Sequence, residues 1–281
     1  MLTEYLENCP EDSTVTVDVA QGARVARPSV SWLLCTHRED ALLHRAIASC
    51  LAQTWDDFEL LLVVNGPQSA HLLPTLTDTY AHDQRVRVIG TAVHLLNFSL
   101  SLGLHLARAP LVARMDADDV AHPERLARQV AFMHAHPEVT VLGTSSRLID
   151  QQGRVVGRID APGADRDIRR AMRYRNPMCH PSVMLKRDPV LAIGGYLGGK
   201  NAEDYDLWVR LATSPTARFA NLPEPLLDYN ASPAGQARRS RAAYANVAGT
   251  QWREFLITRD PRWLLGSLIT AVKSFVLANR A

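Results

Sequence analysis

The sequence predicts an α/β domain on a mostly parallel central sheet. Two observations carry that expectation. From Val30 to Leu142, short apolar runs alternate with segments whose apolar residues recur at helical spacing. The first runs stop at polar residues, Thr36, Asn65 and Asp116, and parallel sheets bind ligands beyond the carboxyl ends of their strands. The composition permits such a domain, because 281 residues with 47% hydrophobic and 21% charged side chains suit a folded chain with a sizeable core.

The elements follow in order. Residues 1–27 are weakly patterned and read as a lead-in. Val30 to Leu34 is a buried strand that stops at Cys35-Thr36-His37-Arg38. Leu42, Leu43, Ala46, Ile47, Cys50 and Leu51 form the apolar stripe of a helix. Leu60 to Val64 is a second strand, closed by the turn Asn65-Gly66-Pro67. Val86 to Ile89 reads as a strand, residues 98–108 as a helix, and Leu111 to Met115 as a strand that delivers Asp116. Pro123 opens a helix with Leu126, Val130 and Met133 on one face, and Val139 to Leu142 is a further strand. Beyond Gly143 the spacing predicts a hairpin over 149–156, a short helix over 164–174, and a strand over 180–185. A glycine-rich loop at 194–199 and a helix starting at Glu203 complete this part.

Net charge is only +2, so no global field points to nucleic acid. The charge is unevenly placed. Residues 236–281 hold Arg238, Arg239, Arg241, Arg253, Arg259, Arg262, Lys273 and Arg280 against only Glu254 and Asp260. Cys9, Cys35, Cys50 and Cys179 are widely spaced without a CxxC, which fits reduced core thiols and a cytoplasmic chain. No basic residue precedes Arg24, unlike a secretory signal, and no run reaches the roughly 20 apolar residues that span a bilayer.

Two acidic segments carry chemistry. Asp116, Asp118 and Asp119 crowd three carboxylates at the end of an apolar strand. A divalent cation relieves that repulsion, and Mg²⁺ or Mn²⁺ favours carboxylate and phosphate oxygens. Alone, the cluster also fits a solvated acidic turn or a helix cap. Glu203-Asp204-Tyr205-Asp206 opens the later helix, where acidic residues are favoured by the helix dipole alone.

Taken in order, five stretches resemble a known family. They are Ala46-Ile47 with Gln53-Thr54-Trp55-Asp56-Asp57-Phe58-Glu59-Leu60, then Ala113 to Asp119, Asn176 to Met184, Gly194-Gly195-Tyr196, and Ala202 to Trp208. The chain resembles the family 2 inverting glycosyltransferases of the GT-A fold, of the bacterial envelope or capsule polysaccharide type, over about residues 28–230. The resemblance implies a nucleotide-binding half, 28–120, and an acceptor-binding half, 121–230; charge and spacing make 231–281 a basic amphipathic helical tail. It implies a nucleotide-sugar donor, with a UDP-sugar favoured, and a metal-assisted direct displacement. Asp116 would lie near the ribose or base and, with Asp118, at the metal, with Asp119 in support. Thr36, Arg38 and Asn65 would line the nucleotide pocket, and His180 would approach the diphosphate. Asp204 would be the general base, while Glu203, Gly195, Tyr196 and Trp208 would shape or support the acceptor side.

Some positions depart from the family pattern. The first strand ends Cys35-Thr36-His37-Arg38 and the second Val64-Asn65-Gly66-Pro67, where a carboxylate is usual, and 94–98 lacks an expected glycine. Asn65 still offers an amide to a nucleobase. A catalytically weak nucleotide-sugar-binding relative is therefore an alternative. Asp116 to Val120 also matches the nucleophile motif of haloacid-dehalogenase-type phosphatases, but it follows the fourth strand rather than the first. A sugar-1-phosphate nucleotidyltransferase needs a glycine-bearing first loop, and 35–40 has none. In the tail, Trp263, Leu265, Leu268, Ile269, Val272, Phe275 and Val276 are expected on one helical face. Peripheral contact of 262–280 with the inner face of the cytoplasmic membrane is one expectation, and packing on the chain's own core or in a homo-oligomer is the other. The acceptor expected is a glycan or lipid-linked saccharide.

Overall fold

Trp32 and Leu34 turn to one side of their strand and Leu33 to the other, and all three are at most 1% exposed. A strand buried on both faces needs helices above and below it, and the rest of the chain supplies them. The structure, a computed structural model, describes residues 18–19, 27–199, 201–231 and 240–277. Most of the lead-in, together with Cys9, Lys200, Arg238, Arg239 and Arg280, lies outside the described residues.

The first half alternates as expected. Strands β2 (Val30–Thr36), β3 (Phe58–Asn65), β4 (Val86–Thr91) and β5 (Leu111–Asp116) are joined by helices α1 (Ala41–Leu51), α2 (Ser69–Tyr80) and α3 (Leu96–Leu106). β2 pairs in parallel with β3 and β5, and β3 with β4. A short edge strand, β1 (Asp18–Val19), adds antiparallel to β4. Asp40 caps α1 by accepting from Leu43 N at 2.9 Å. Helix α3 begins and ends two residues earlier than its apolar pattern suggests. Helix α2 was not expected, because Pro74 and three threonines interrupt its stripe.

The second half completes one continuous sheet. It contains β6 (Val120–Ala121), α4 (Arg125–Ala135), β7 (Val141–Ile149), β8 (Val155–Ile159), α5 (Asp165–Met172), β9 (Met184–Lys186), α6 (Arg187–Ala192), α7 (Glu203–Thr213) and β10 (Phe219–Asn230). Among the described residues the order is β1-β4-β3-β2-β5-β9-β7-β10-β6, with β8 paired to β7. The parallel run ends at β5. Beyond it, β9 runs antiparallel to β5 and β7, while β10 returns parallel to β7. The hairpin over 149–156 is present as β7–β8. The strand expected over 180–185 is a correction: His180–Ser182 forms a 3-10 turn, and only Met184–Lys186 is extended. Pro181 carries no N–H to donate to a ladder, which favours the turn.

The tail forms two helices, α8 (Arg241–Thr258) and α9 (Pro261–Leu277), folded into a hairpin. Trp263 corrects the expected face. It is buried with Gly266, Ser267 and Thr270 against the protein, whereas Leu265, Leu268, Ile269, Val272, Phe275 and Val276 point to solvent. The hairpin packs by its small side chains: Ser267 Oγ donates to Ala248 O at 2.9 Å. At Gly266 a Cβ would lie 1.9 Å from Arg173 O.

Candidate active site

The parallel strands bring their polar ends to one edge of the sheet. Cys35 of β2 stands in register with Asp116 of β5, and Asn65 of β3 with Thr91 of β4. Several family-like residues build the support behind that edge. Gln53 donates through Nε2 to Ser49 O and His122 O and accepts Leu126 N at 3.0 Å. It thereby clamps the chain leaving Asp119 to α1 and α4. Arg125 is fully buried, donates to Arg114 O and Val183 O, and lies over the Trp32 ring at 4.7 Å. Burial lowers its pKa to about 10, which leaves it charged near neutrality.

The acidic cluster is real in space. Asp116, Asp118 and Asp119 each offer a carboxylate oxygen, and these lie within 4.8 Å of one another. Asp119 is fully buried; its Oδ1 accepts Asn230 N at 2.8 Å, while its Oδ2 has no hydrogen-bond partner. Burial raises its pKa well above the ordinary range, and the charges of Asp116 and Asp118 raise it further. Three converging oxygen donors with an unpaired buried oxygen fit a hard divalent cation. Arg114 is nearly buried and forms an ion pair with Asp116 from within the same strand. Arg45 Nη2 reaches Asp118 O at 3.4 Å.

Asp204 occupies the first turn of α7. Its Oδ1 accepts the Tyr205 N–H at 2.7 Å and its Oδ2 accepts from Asn176 Nδ2 at 2.6 Å. Asn176 Oδ1 in turn accepts Met178 N at 3.2 Å, which fixes which end of the amide faces Asp204. Burial raises the Asp204 pKa, opposed by Tyr205, Asn176 and Arg114. Neighbouring Glu203 is buried, and desolvation followed by the Asp204 charge lifts it to about 7. Arg114 lowers both carboxyls and also touches Asp116, so the acidic cluster and the α7 start share one electrostatic site.

The other expected residues fall into two groups. At the carboxyl ends of β2 and β3, Thr36 Oγ1 closes its own turn by donating to Arg38 O at 2.6 Å, and exposed Arg38 pairs with Asp40 at 2.7 Å. Asn65 Nδ2 donates to Ser99 Oγ at 2.9 Å, and that hydroxyl donates to Leu95 O at 3.0 Å. Beside α7, His180 is buried, 2.9 Å from Tyr196 Oη, with its ring edge-on to buried Trp208. These contacts tie it to α7 and to the glycine-rich loop. Gly195 takes a φ of +67°, which favours glycine, and Tyr196 N–H donates to Ser101 Oγ at 3.1 Å. Asn97 Nδ2 also holds Gly198 O at 3.2 Å, so the glycine-rich loop is fastened to α3.

Sequence reasoning gave no role to Asn176 or Arg114. Both stand in stretches that carried the resemblance, yet nothing in their spacing shows that they face Asp204 and Asp116.

Fold and site define a GT-A glycosyltransferase. Residues 31–193 match the model for "Glycosyl transferase family 2". The chain is 33% identical over 248 residues to the O-antigen biosynthesis glycosyltransferase WbnJ of Escherichia coli, covering 88% of this chain and 96% of that protein. It is 30% identical over 234 residues to the amylovoran biosynthesis glycosyltransferase AmsE of Erwinia amylovora, covering 83% and 86%. The chain belongs to glycosyl transferase family 2. Among solved structures it is similar in fold to Pyrobaculum calidifontis mannosyltransferase PcManGT in complex with GDP-Man and Mn²⁺, with a TM-score of 0.61 at 16% identity and coverage of 100% and 81%. S. aureus TarS 1–349 in complex with UDP-GlcNAc gives a TM-score of 0.61 at 16% identity, covering 88% and 81%.

Proposed function

We propose that this enzyme moves a sugar from a nucleoside-diphosphate donor, with UDP favoured, to a saccharide hydroxyl during envelope-polysaccharide assembly, inverting the anomeric centre. The observation that carries the reading is the Asn176–Asp204 pair beside Arg114 and the acidic cluster. Asp204 takes the acceptor hydroxyl proton, and its raised pKa makes it a better base than an ordinary surface carboxylate. Asn176 and the Tyr205 N–H hold that carboxylate in place. Direct attack with one base and no covalent sugar intermediate inverts the linkage. Asp116 and Asp118, supported by Asp119, would hold Mn²⁺ or Mg²⁺, which when bound supplies positive charge to the departing diphosphate.

Asn65 bears on the donor base. Ser99 Oγ uses its proton on Leu95 O and accepts from Asn65 Nδ2, so Asn65 Oδ1 is the end left to accept an N–H. Uracil and guanine carry a ring N–H at the pairing edge, whereas cytosine carries a bare ring nitrogen there, so Asn65 disfavours a cytidine donor and the preference for UDP rests on the family resemblance. In this reading the acceptor is a glycan or lipid-linked saccharide, and the enzyme works peripherally on the inner face of the cytoplasmic membrane.

The test is thermal stability against UDP, GDP, CDP and their sugars, each with and without Mn²⁺. Saturation at about 100 times the dissociation constant stabilises the native state by about 2.7 kcal/mol. A metal-dependent shift with UDP that vanishes in Asp118→Ala is expected, and no shift with any nucleotide would overturn the reading. Proton NMR of the product from an α-linked donor should show a β linkage; an α product would refute direct displacement.

A further inference from the structure

The tail hairpin presents its large apolar side chains to solvent and its small ones to the protein. Leu265, Leu268, Ile269, Val272, Phe275 and Val276 recur at helical spacing on one face of α9, from 37% exposed at Ile269 to 69% at Phe275. Trp252, Leu256 and Ile257 expose further apolar surface on α8. A contiguous apolar row of this size on a water-soluble surface marks a contact site. No described helix is long and apolar enough to cross a membrane.

Charge decides what covers the row. Lys273 falls on the helical row of Ile269, at the border of the apolar face; Arg262 shares that row and is paired with Asp260. Neither carboxylate between residues 240 and 277 is free to answer Lys273: Glu254 is buried, and Asp260 is held by Arg173 and Arg262. A second copy docked face to face through this helix would bring Lys273 against a surface on which neither tail carboxylate is free to meet it. A lipid surface accepts the apolar row into its acyl boundary, and anionic headgroups answer the basic border. We infer that the outer face of α9 docks on an anionic lipid surface, and that the hairpin fixes the orientation of the active site over it.

The hairpin is rigidly tied to the catalytic helix. Arg253 Nη1 donates to Asp206 at 2.8 Å, two residues after Asp204, and Gln251 Nε2 holds Arg173 O at 3.0 Å. On the α8 side, a Cβ at Gly199 of the glycine-rich loop would lie within 2.9 Å of Asn246. Seating α9 on a membrane therefore sets the height and tilt of α7. This deepens the peripheral part of the proposed function, but lipid docking is independent of the transfer chemistry.

The test is co-sedimentation of the full chain with vesicles of phosphatidylglycerol and phosphatidylcholine, and with phosphatidylcholine alone. Val272 and Phe275 are 60% and 69% exposed, so the double variant Val272→Glu/Phe275→Glu keeps its fold, checked by an unchanged nucleotide-dependent thermal shift. The wild type should bind the anionic vesicles, the double variant at least about tenfold more weakly, and Lys273→Glu should weaken binding in a salt-sensitive way. Equal binding of wild type and double variant, or none by the wild type at low salt, overturns the inference. Self-association of the wild type that the double variant abolishes, seen by sedimentation velocity without lipid, overturns it in favour of a second copy. The nucleotide shift on the same samples reads the donor site separately, so each failure is recognised for what it is.

Discussion

Asn176 Nδ2 lies 2.6 Å from Asp204 Oδ2, and this bond joins the loop before the 3-10 turn to the first turn of α7. The amide orients the carboxylate and stabilises its charged form. Asn176→Ala should lower kcat by about 10- to 100-fold, a loss of about 1.4–2.7 kcal/mol of transition-state stabilisation, while leaving donor affinity unchanged. Losing a donor to the carboxylate raises its pKa, so the acidic limb of the kcat/KM profile should move to higher pH. A profile superimposable on the wild type would remove Asn176 from any positioning role.

Glu203 gives stability its own pH dependence. Burial holds its folded pKa near 7, above the ordinary 4.5, so the folded chain binds more protons than the unfolded chain between those values. The stabilising contribution is present below about 4.5 and declines as pH rises through about 7. The difference amounts to roughly 3 kcal/mol. Urea unfolding at pH 5 and pH 8 should show the wild type losing stability toward pH 8. Glu203→Gln should flatten that trend, and parallel trends would contradict the assignment.

The strands that carry the polar edge of the sheet were legible because β2, β3 and β5 are mostly apolar on both faces and end at polar residues. Helix α2 was not, since Pro74 and its threonines blur the stripe, nor was β10, where Pro223 and Pro225 break the pattern and shift its register against β7. In the tail, spacing identified a helix but placed Trp263 with the exposed row. A helical stripe says which residues share a face, and α9 buries its small one because Gly266 lets its backbone approach Arg173 O. At the site, the carboxylates were legible as a cluster. Asn176 and Arg114 were not, because their partners come from distant sequence or from inside a strand.

The acidic cluster should oppose folding when no cation is bound. Asp119 is buried with an unpaired Oδ2, and Asp116 and Asp118 both push its pKa upward. Asp118→Asn removes one of the repelling charges while keeping the side-chain shape. In EDTA the variant should melt above the wild type, by the equivalent of about 1 kcal/mol. In Mn²⁺ with a nucleoside diphosphate it should lose the shift that the wild type gains. A variant that is less stable in EDTA, or that keeps the metal-dependent shift, would mean that the carboxylate is held by protein contacts instead.

Gly266 tests whether the hairpin and α7 act as one unit. A Cβ there would sit 1.9 Å from Arg173 O, a backbone atom that cannot rotate aside. Arg173 is also bound by Gln251 and paired with Asp260, so its segment is held between both tail helices. Gly266→Ala must therefore push α9 away, despite the helix preference for alanine of about 1 kcal/mol. The net loss of stability should be about 1–3 kcal/mol, the usual cost of overpacking. Because Arg253 connects α8 to Asp206, displacement of the hairpin should also reach α7 and lower kcat more than donor affinity. Thermal melts and steady-state kinetics on the same preparation separate the two effects. A destabilised variant with unchanged kcat would show that the tail packs on the enzyme without helping to place Asp204.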